Sequence, residues 1–263
     1  MPGHSYTFSH AIVRTPSHSI TDGLRAVDIG QPRFDTFLQH HKDYIAALKS
    51  TGATVTELDP LEALPDSVFV EDAALCLPKG AVVMRPGAPT RLAEAEAIAP
   101  ALTALYTQVK KISGPGFIEG GDILTTEQEI LVGRSARTDA AGIEELRQYV
   151  SEWGYNVREV ITPPGVLHFK TDCSLLDEET ILSTRRLAES GCFRDYRVLY
   201  TAVGEEACAN AIRFNELLIM PDGFPKTREM LLGKGYNITT VGNSEAAKLD
   251  GGMSCLSLRF TPA

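Results

Sequence analysis

The chain contains no apolar run approaching the roughly 20 residues that cross a bilayer; its apolar stretches, such as Ala81–Met84, are far shorter. It has no excess of positive charge either. Lys and Arg number 25 against 34 Asp and Glu, a net charge of -9, and such a field disfavours nucleic acid and anionic membrane while suiting a small cationic molecule. The opening MPGHSYTFSHAIVRT lacks the basic start and apolar core of a secretory signal, so the cytoplasm is the expected compartment. Close pairs of cysteine are missing as well. Cys76, Cys173, Cys192, Cys208 and Cys255 are scattered and odd in number, which argues against a disulfide framework or a structural zinc site and leaves at least one thiol free. No linker rich in Pro, Gly and Ser and no charge run divides the chain, so one domain over residues 1–263 is expected.

What is present is repetition. SVFVEDAALCLPKGAVVMRPG, GPGFIEGGDILTTEQEILVGRS, GVLHFKTDCSLLDEETILSTRR and ANAIRFNELLIMPDG share one plan: an apolar strand, a short turn and a second apolar strand. Helical spacing follows in LAEAEAIAPALTALYTQV, DAAGIEELRQYVSEWG, RRLAESGCFRDY and TREMLLGKG. The unit is therefore strand, turn, strand, helix. Equivalent points on the first strands fall at Glu71, Glu119, His168, Asn210 and Cys255, in steps of 48, 49, 42 and 45 residues, a period of radial or solenoid repetition. The last unit, MSCLSLRF, lacks a partner strand, and HAIVRTP near the start is a strand without a hairpin mate. Pairing the two closes a five-bladed α/β propeller.

Such a ring brings Glu71, Asp72, Glu119, His168 and Cys255 to one centre. A cysteine acts as a nucleophile in its thiolate form beside a base or cation, which makes Cys255 the nucleophile, His168 its acid–base partner and Glu119 the carboxylate that orients the imidazole. Asp250-Gly251-Gly252 before Cys255 permits close backbone approach. Cys76, Cys173 and Cys208 lie in apolar runs and read as core, whereas Cys192 falls in a loop. Strand alternation turns Glu71 and Asp72 to opposite sides, and a carboxylate there matches a planar guanidinium. Asp66 could reach an ammonium, and Arg91 and Arg137, with Arg85, lie near the rim, where paired arginines clamp a carboxylate.

PDSVFVEDAAL, RPGAPTR, EGGDIL, LHFKTDCS and DGGMSC, in this order and spacing, resemble the dimethylarginine dimethylaminohydrolases, from HAIVRTP to the final strand. The resemblance implies the pentein fold, a five-bladed α/β propeller. It also implies hydrolysis of Nω-methylated arginine to citrulline and an amine through a covalent thiouronium on Cys255, with no metal or organic cofactor. His168 would be general acid and base and Glu119 its partner. Asp72, with Glu71 beside it, would hold the guanidine. Asp66 and the carbonyls of Ile20 and Leu249 would receive the α-ammonium, and Arg91 and Arg137 the α-carboxylate. Ile20 stands in SHSITDGLR, similar to the family's mobile lid, where leucine is more usual. The partner implied is a small methylated arginine, with neither nucleic acid nor membrane; a homo-oligomer is compatible with it. Alternatives are a deiminase or hydrolase of arginine, citrulline or another guanidino or ureido amino acid, a thiol peptidase, and a non-catalytic binder.

Overall fold

The computed structural model describes residues 4–263. Among the described residues, fifteen strands form five separate three-stranded sheets. The second blade sets the pattern: β3 (Ala74–Leu77) pairs antiparallel with β4 (Gly80–Val83), and α2 (Leu92–Thr103) carries the chain back to β5 (Val109–Lys111), parallel to β4. The third blade repeats this with β6 (Ile123–Thr125), β7 (Ile130–Arg134), α3 (Ala140–Ser151) and β8 (Val157–Ile161), and the fourth with β9 (Cys173–Leu175), β10 (Thr180–Ser183), α4 (Arg185–Ala188) and β11 (Arg197–Tyr200). The fifth comprises β12 (Ile212–Phe214), β13 (Leu217–Pro221), α5 (Pro225–Gly233) and β14 (Asn237–Val241). The first blade is assembled from both ends of the chain. Its middle strand β1 (His10–Arg14) pairs antiparallel with β15 (Leu258–Phe260) and, after α1 (Phe34–Ser50), parallel with β2 (Thr54–Leu58). The ring is thus the five-bladed α/β propeller read from the repeats, closed as expected by HAIVR and SLRF.

The third strand of each blade was absent from the strand, turn, strand, helix unit. The reason is local. The middle strands β4, β10 and β13 are buried at every position, as suits strands covered on both faces. Third strands such as β11 and β14 sit at the outer edge, half-exposed, and carry neither a continuous apolar run nor a clean alternation. The fourth-blade helix is also much shorter than RRLAESGCFRDY suggests: after the four residues of α4 the chain turns, and Gly191 takes a positive φ of 77°.

Separate apolar clusters fill the spaces between blades. One joins Leu75, Val82, Ile118, Val132 and Leu146 between the second and third; another joins Leu131, Phe169, Cys173, Ile181 and Cys192 between the third and fourth. Cys192 is therefore a core residue beside Cys173 and not a loop thiol: α4 ends in a tight turn that folds it back, where its Sγ–H meets the Leu187 carbonyl at 3.6 Å. All five cysteines are free thiols. Among the described residues no helix is long and apolar enough to cross a membrane.

Candidate active site

The residues that fell at equivalent points of the repeats do not lie on the first strands. They sit in or directly flank the single 3₁₀ turns that precede those strands, namely Val70–Ala73, Gly120–Asp122, Phe169–Thr171, Glu206–Ala209 and Ser254–Leu256, with Asn210 closing the fourth. Glu119 and His168 are the extended residues that open two of these turns. A turn at this place is needed because the chain crosses the hub of the ring before entering the blade.

Neighbouring turns are bonded to one another. Asp72 Oδ1 accepts the Gly121 N–H at 2.9 Å, Asp122 Oδ1 accepts the Phe169 N–H at 2.8 Å, and Asn210 Oδ1 accepts the Ser254 N–H at 2.9 Å. The glycines make this approach feasible. A Cβ on Gly120 would lie 1.9 Å from the Glu71 carbonyl oxygen, and one on Gly252 would lie 2.2 Å from Asn210 Nδ2. Asp250, just before the Gly251-Gly252 pair, takes the left-handed conformation at φ 58° and reverses the chain into the Cys255 turn.

Cys255, His168, Asp72, Asp66, Arg91, Arg137 and Leu249 line one cavity of about 30 Å³. His168 Nε2 lies 2.6 Å from Glu119 Oε2, whose other oxygen takes the Gly87 N–H at 3.0 Å and Arg137 Nη1 at 3.4 Å. Burial disfavours the charged forms of both partners, but each supports the other's charge. The imidazole rises to about 9 through Asp72, the Glu119 hydrogen bond and Asp122, and Glu119 falls to about 2 through His168, Arg91 and Arg137. The Cys255 thiol is pushed up to about 12 by burial, Glu71 and Asp72, against the Gly252 N–H and Lys170, which lower it. That N–H points at Sγ from 3.4 Å, with Asn210 Nδ2 at 4.0 Å.

Several expected positions differ from a simple clamp. Glu71 turns away from this cavity: Oε1 meets Lys170 Nζ and Arg259 Nη2, each at 2.6 Å, and Oε2 accepts the Ser254 hydroxyl at 2.7 Å. A guanidinium held by Asp72 would therefore not find Glu71 beside it, because the 3₁₀ turn points consecutive side chains to opposite ends of the hub and protein cations satisfy the one at the far end. Arg91, read as a carboxylate clamp near the rim, is buried; it bonds Asp72 Oδ2 at 2.6 Å, Glu94 Oε2 at 2.8 and 2.9 Å, and the Phe69 carbonyl at 3.1 Å. Asp66 accepts the Leu24 N–H at 2.9 Å, and burial raises its carboxyl despite Arg91. The Ile20 side chain is wholly buried and its carbonyl takes the Gly23 N–H at 3.1 Å. Sequence reasoning did not single out Glu94, Lys170, Ser254 or Arg259, and it marked Asn210 only as a repeat position. Asp72, Glu119 and His168 also present ligand atoms within 4.8 Å of one another, close enough to hold a cation, although those atoms already engage each other, Arg91 and Gly121.

A profile of the arginine deiminase family matches residues 36–215. The chain is 38% identical over 254 residues to the dimethylarginine dimethylaminohydrolase of Pseudomonas aeruginosa, covering 96% of this chain and all of that one. The chain belongs to the dimethylarginine dimethylaminohydrolase family. The family enzyme of Streptomyces coelicolor is 34% identical, over 95% of this chain and 96% of its own. The Pseudomonas dimethylarginine dimethylaminohydrolase, solved as a cysteine-to-serine variant with citrulline, superimposes with a TM-score of 0.94 at 38% identity, covering 97% of this chain and 100% of that one. The N-terminal domain of ArgZ, a cyanobacterial arginine dihydrolase, shares the fold with a TM-score of 0.85 at 19% identity, over 96% of this chain and 97% of its own.

Proposed function

We propose that this chain hydrolyses Nω-methylated L-arginine, as asymmetric dimethylarginine or monomethylarginine, to citrulline and dimethylamine or methylamine, acting as one catalytic unit over its length. The observation that carries this reading is the cavity shared by Cys255, His168 and Asp72, with His168 fixed to Glu119 at 2.6 Å. Membership of the dimethylarginine dimethylaminohydrolase family supports it.

The chemistry follows from the charges. Asp72 is one of the two acids that raise the Cys255 thiol. A guanidinium seated on Asp72 offsets that acid and favours release of the thiol proton to solvent, giving the thiolate at the moment an electrophile arrives. Within about 3 to 3.5 Å the sulfur attacks the guanidinium carbon, forming the S–C bond and a tetrahedral adduct. His168, protonated below about 9, gives its proton to the methylated nitrogen as the C–N bond breaks, and the neutral amine leaves. The imidazole then takes one proton from water attacking the thiouronium carbon; the second tetrahedral adduct breaks its C–S bond, its hydroxyl proton passes to solvent, and neutral citrulline and the thiolate are released.

At the other end of the substrate, Asp66 and the carbonyls of Ile20 and Leu249 would receive the α-ammonium. Arg137, half-buried and held by a single contact of 3.4 Å, is better placed to turn onto the α-carboxylate than Arg91, whose donors are engaged. The test is incubation with asymmetric dimethylarginine, arginine and citrulline separately, with a Cys255→Ser control. Citrulline and dimethylamine from the first, lost in the control, is the expected result. Ammonia from arginine or citrulline, with silence on dimethylarginine, would overturn the substrate while keeping the nucleophile.

A further inference from the structure

The turns that carry the catalytic groups have a second side. A separate cavity of about 100 Å³ runs along the axis on the far side of the hub, lined by the first strands and by Glu71, Lys170, Ser254 and Arg259. None of these four lines the catalytic cavity, yet each lies within a few residues of a group that does: Glu71 beside Asp72, Lys170 two after His168, Ser254 beside Cys255, and Arg259 on β15 just beyond. They form one connected cluster. Glu71 is 4% exposed at its side chain, with Lys170 at 11% and Arg259 at 14%. Arg259 also holds the Ser254 carbonyl and the Ser257 carbonyl at 2.8 Å each, at either end of the turn that bears the sulfur.

Charge and tether therefore reach Cys255 from behind. The charged groups packed around its turn are Glu71 and Asp72 from the second blade, His168 and Lys170 from the fourth, and Arg259 and Asp250 from its own side; Asp66, Arg91 and Arg137 border the same cavity from the rim. Two acids beside a buried sulfur oppose its ionisation. Asp72 is the acid a cationic substrate can offset. Glu71 is out of the substrate's reach and needs cations of the protein's own.

We propose that Lys170 and Arg259 are positioning residues for the reaction: from the channel side they offset Glu71 and, through Glu71 and Ser254, hold the Cys255 turn in its reactive setting. This rests on Cys255 being the nucleophile. The test uses the full chain and measures the rate at which iodoacetamide alkylates Cys255 across a range of pH, with the modified cysteine located by peptide mass, together with kcat and KM for dimethylarginine. Below the midpoint this rate follows the thiolate fraction, so a midpoint raised by about one pH unit would slow alkylation about tenfold.

Lys170→Met should slow alkylation about tenfold at a fixed pH and lower kcat, with KM within about twofold of the parent, because Lys170 does not border the substrate cavity; Lys170→Arg should restore both. Glu71→Gln should do the reverse and speed alkylation, since it leaves two cations near the sulfur. The opposite signs separate a charge effect from loss of structure, and Glu71→Gln keeps the question open to measurement where Lys170→Met does not fold. A folded Lys170→Met with the parent's alkylation profile, or two variants that shift it in the same direction, would overturn the proposal. If iodoacetamide spared Cys255 in the parent while abolishing turnover through another cysteine, the nucleophile assignment would fall and this inference with it.

Discussion

The two ends of the central axis hold chemically similar thiols in different company. Cys255 borders the small cavity at one end, while Cys76 and Cys173 border the larger channel at the other. Cys76 and Cys255 are each pushed up to about 12. The causes differ. Cys76 is raised by burial alone, against a Tyr106 hydrogen bond and Arg259 that lower it. Cys173 is raised by burial first, then by Cys192, Asp172 and Asp122, against Lys170. Cys255 is raised by burial and then by two carboxylates. A cationic ligand can do nothing about a low-polarity surrounding, but it can offset an acid. A thiol that rests protonated and becomes reactive when a cation binds thus needs an acid that the cation can reach, and of these three thiols Cys255 is the one that borders a cavity together with such an acid, Asp72.

The strongest way to break this comparison is to remove each thiol in turn. Cys255→Ser should reduce citrulline formation to background, whereas Cys76→Ala should leave turnover within about twofold; equal losses would show that position on the axis does not matter. Next in size, His168→Ala should bind substrate but lose roughly 10²- to 10⁴-fold in kcat, the usual contribution of a positioned acid–base group, measured under saturating substrate. Arg91→Ala leaves Asp72 and Glu94 buried without their shared cation, and should destabilise the fold by about 3 to 5 kcal/mol in denaturant unfolding. Burial already lifts Glu94 to about 7 even with Arg91 present.

A smaller effect concerns pH. His168 is raised from 6.5 to about 9 on folding, so its contribution to stability is complete below about 6.5 and is lost as pH rises through about 9. Glu119, lowered from 4.5 to about 2, contributes above about 4.5 and loses that contribution as pH falls through about 2. Thermal midpoints should therefore drop on both sides of this window, and Glu119→Gln should flatten both slopes; unchanged slopes would show that the pair does not carry the charge assigned to it.

The fold was largely legible because strong repetition survives in the apolar strands. Glu119, His168 and Cys255 stood at regular intervals, and that regularity reflects a real equivalence, since all three occupy the same step between hub and blade. What the pattern obscured was how that step is built. Nothing in SVFVEDAAL distinguishes a strand from a 3₁₀ turn followed by a strand, so Glu71 and Asp72 were rightly separated but for a reason belonging to extended chain. The outer strands were lost because half-exposed edges show no period, and Cys192 because a short helix returned it to the core. Lys170, Ser254 and Arg259 had no signal of their own. Their importance lies in which neighbour each touches across the ring, and a contact between residues 71 and 259 leaves no mark on local sequence.

One consequence of the ring concerns the order in which the protein can be made. β1 is the middle strand of its blade, yet its antiparallel mate β15 lies some 250 residues later, at Leu258–Phe260. A nascent chain leaving the ribosome can pair β1 with β2 early, and blades two to five can form in turn, each from contiguous sequence. The first blade must wait for the last segment, and Cys255 arrives with that segment. Contacts so distant in sequence are slow to form, and an arc with one unpaired strand is open to pairing with another chain in the meantime. The same arrangement delays risk of another kind: until translation has passed the final turn, no chain carries the thiol proposed as the nucleophile.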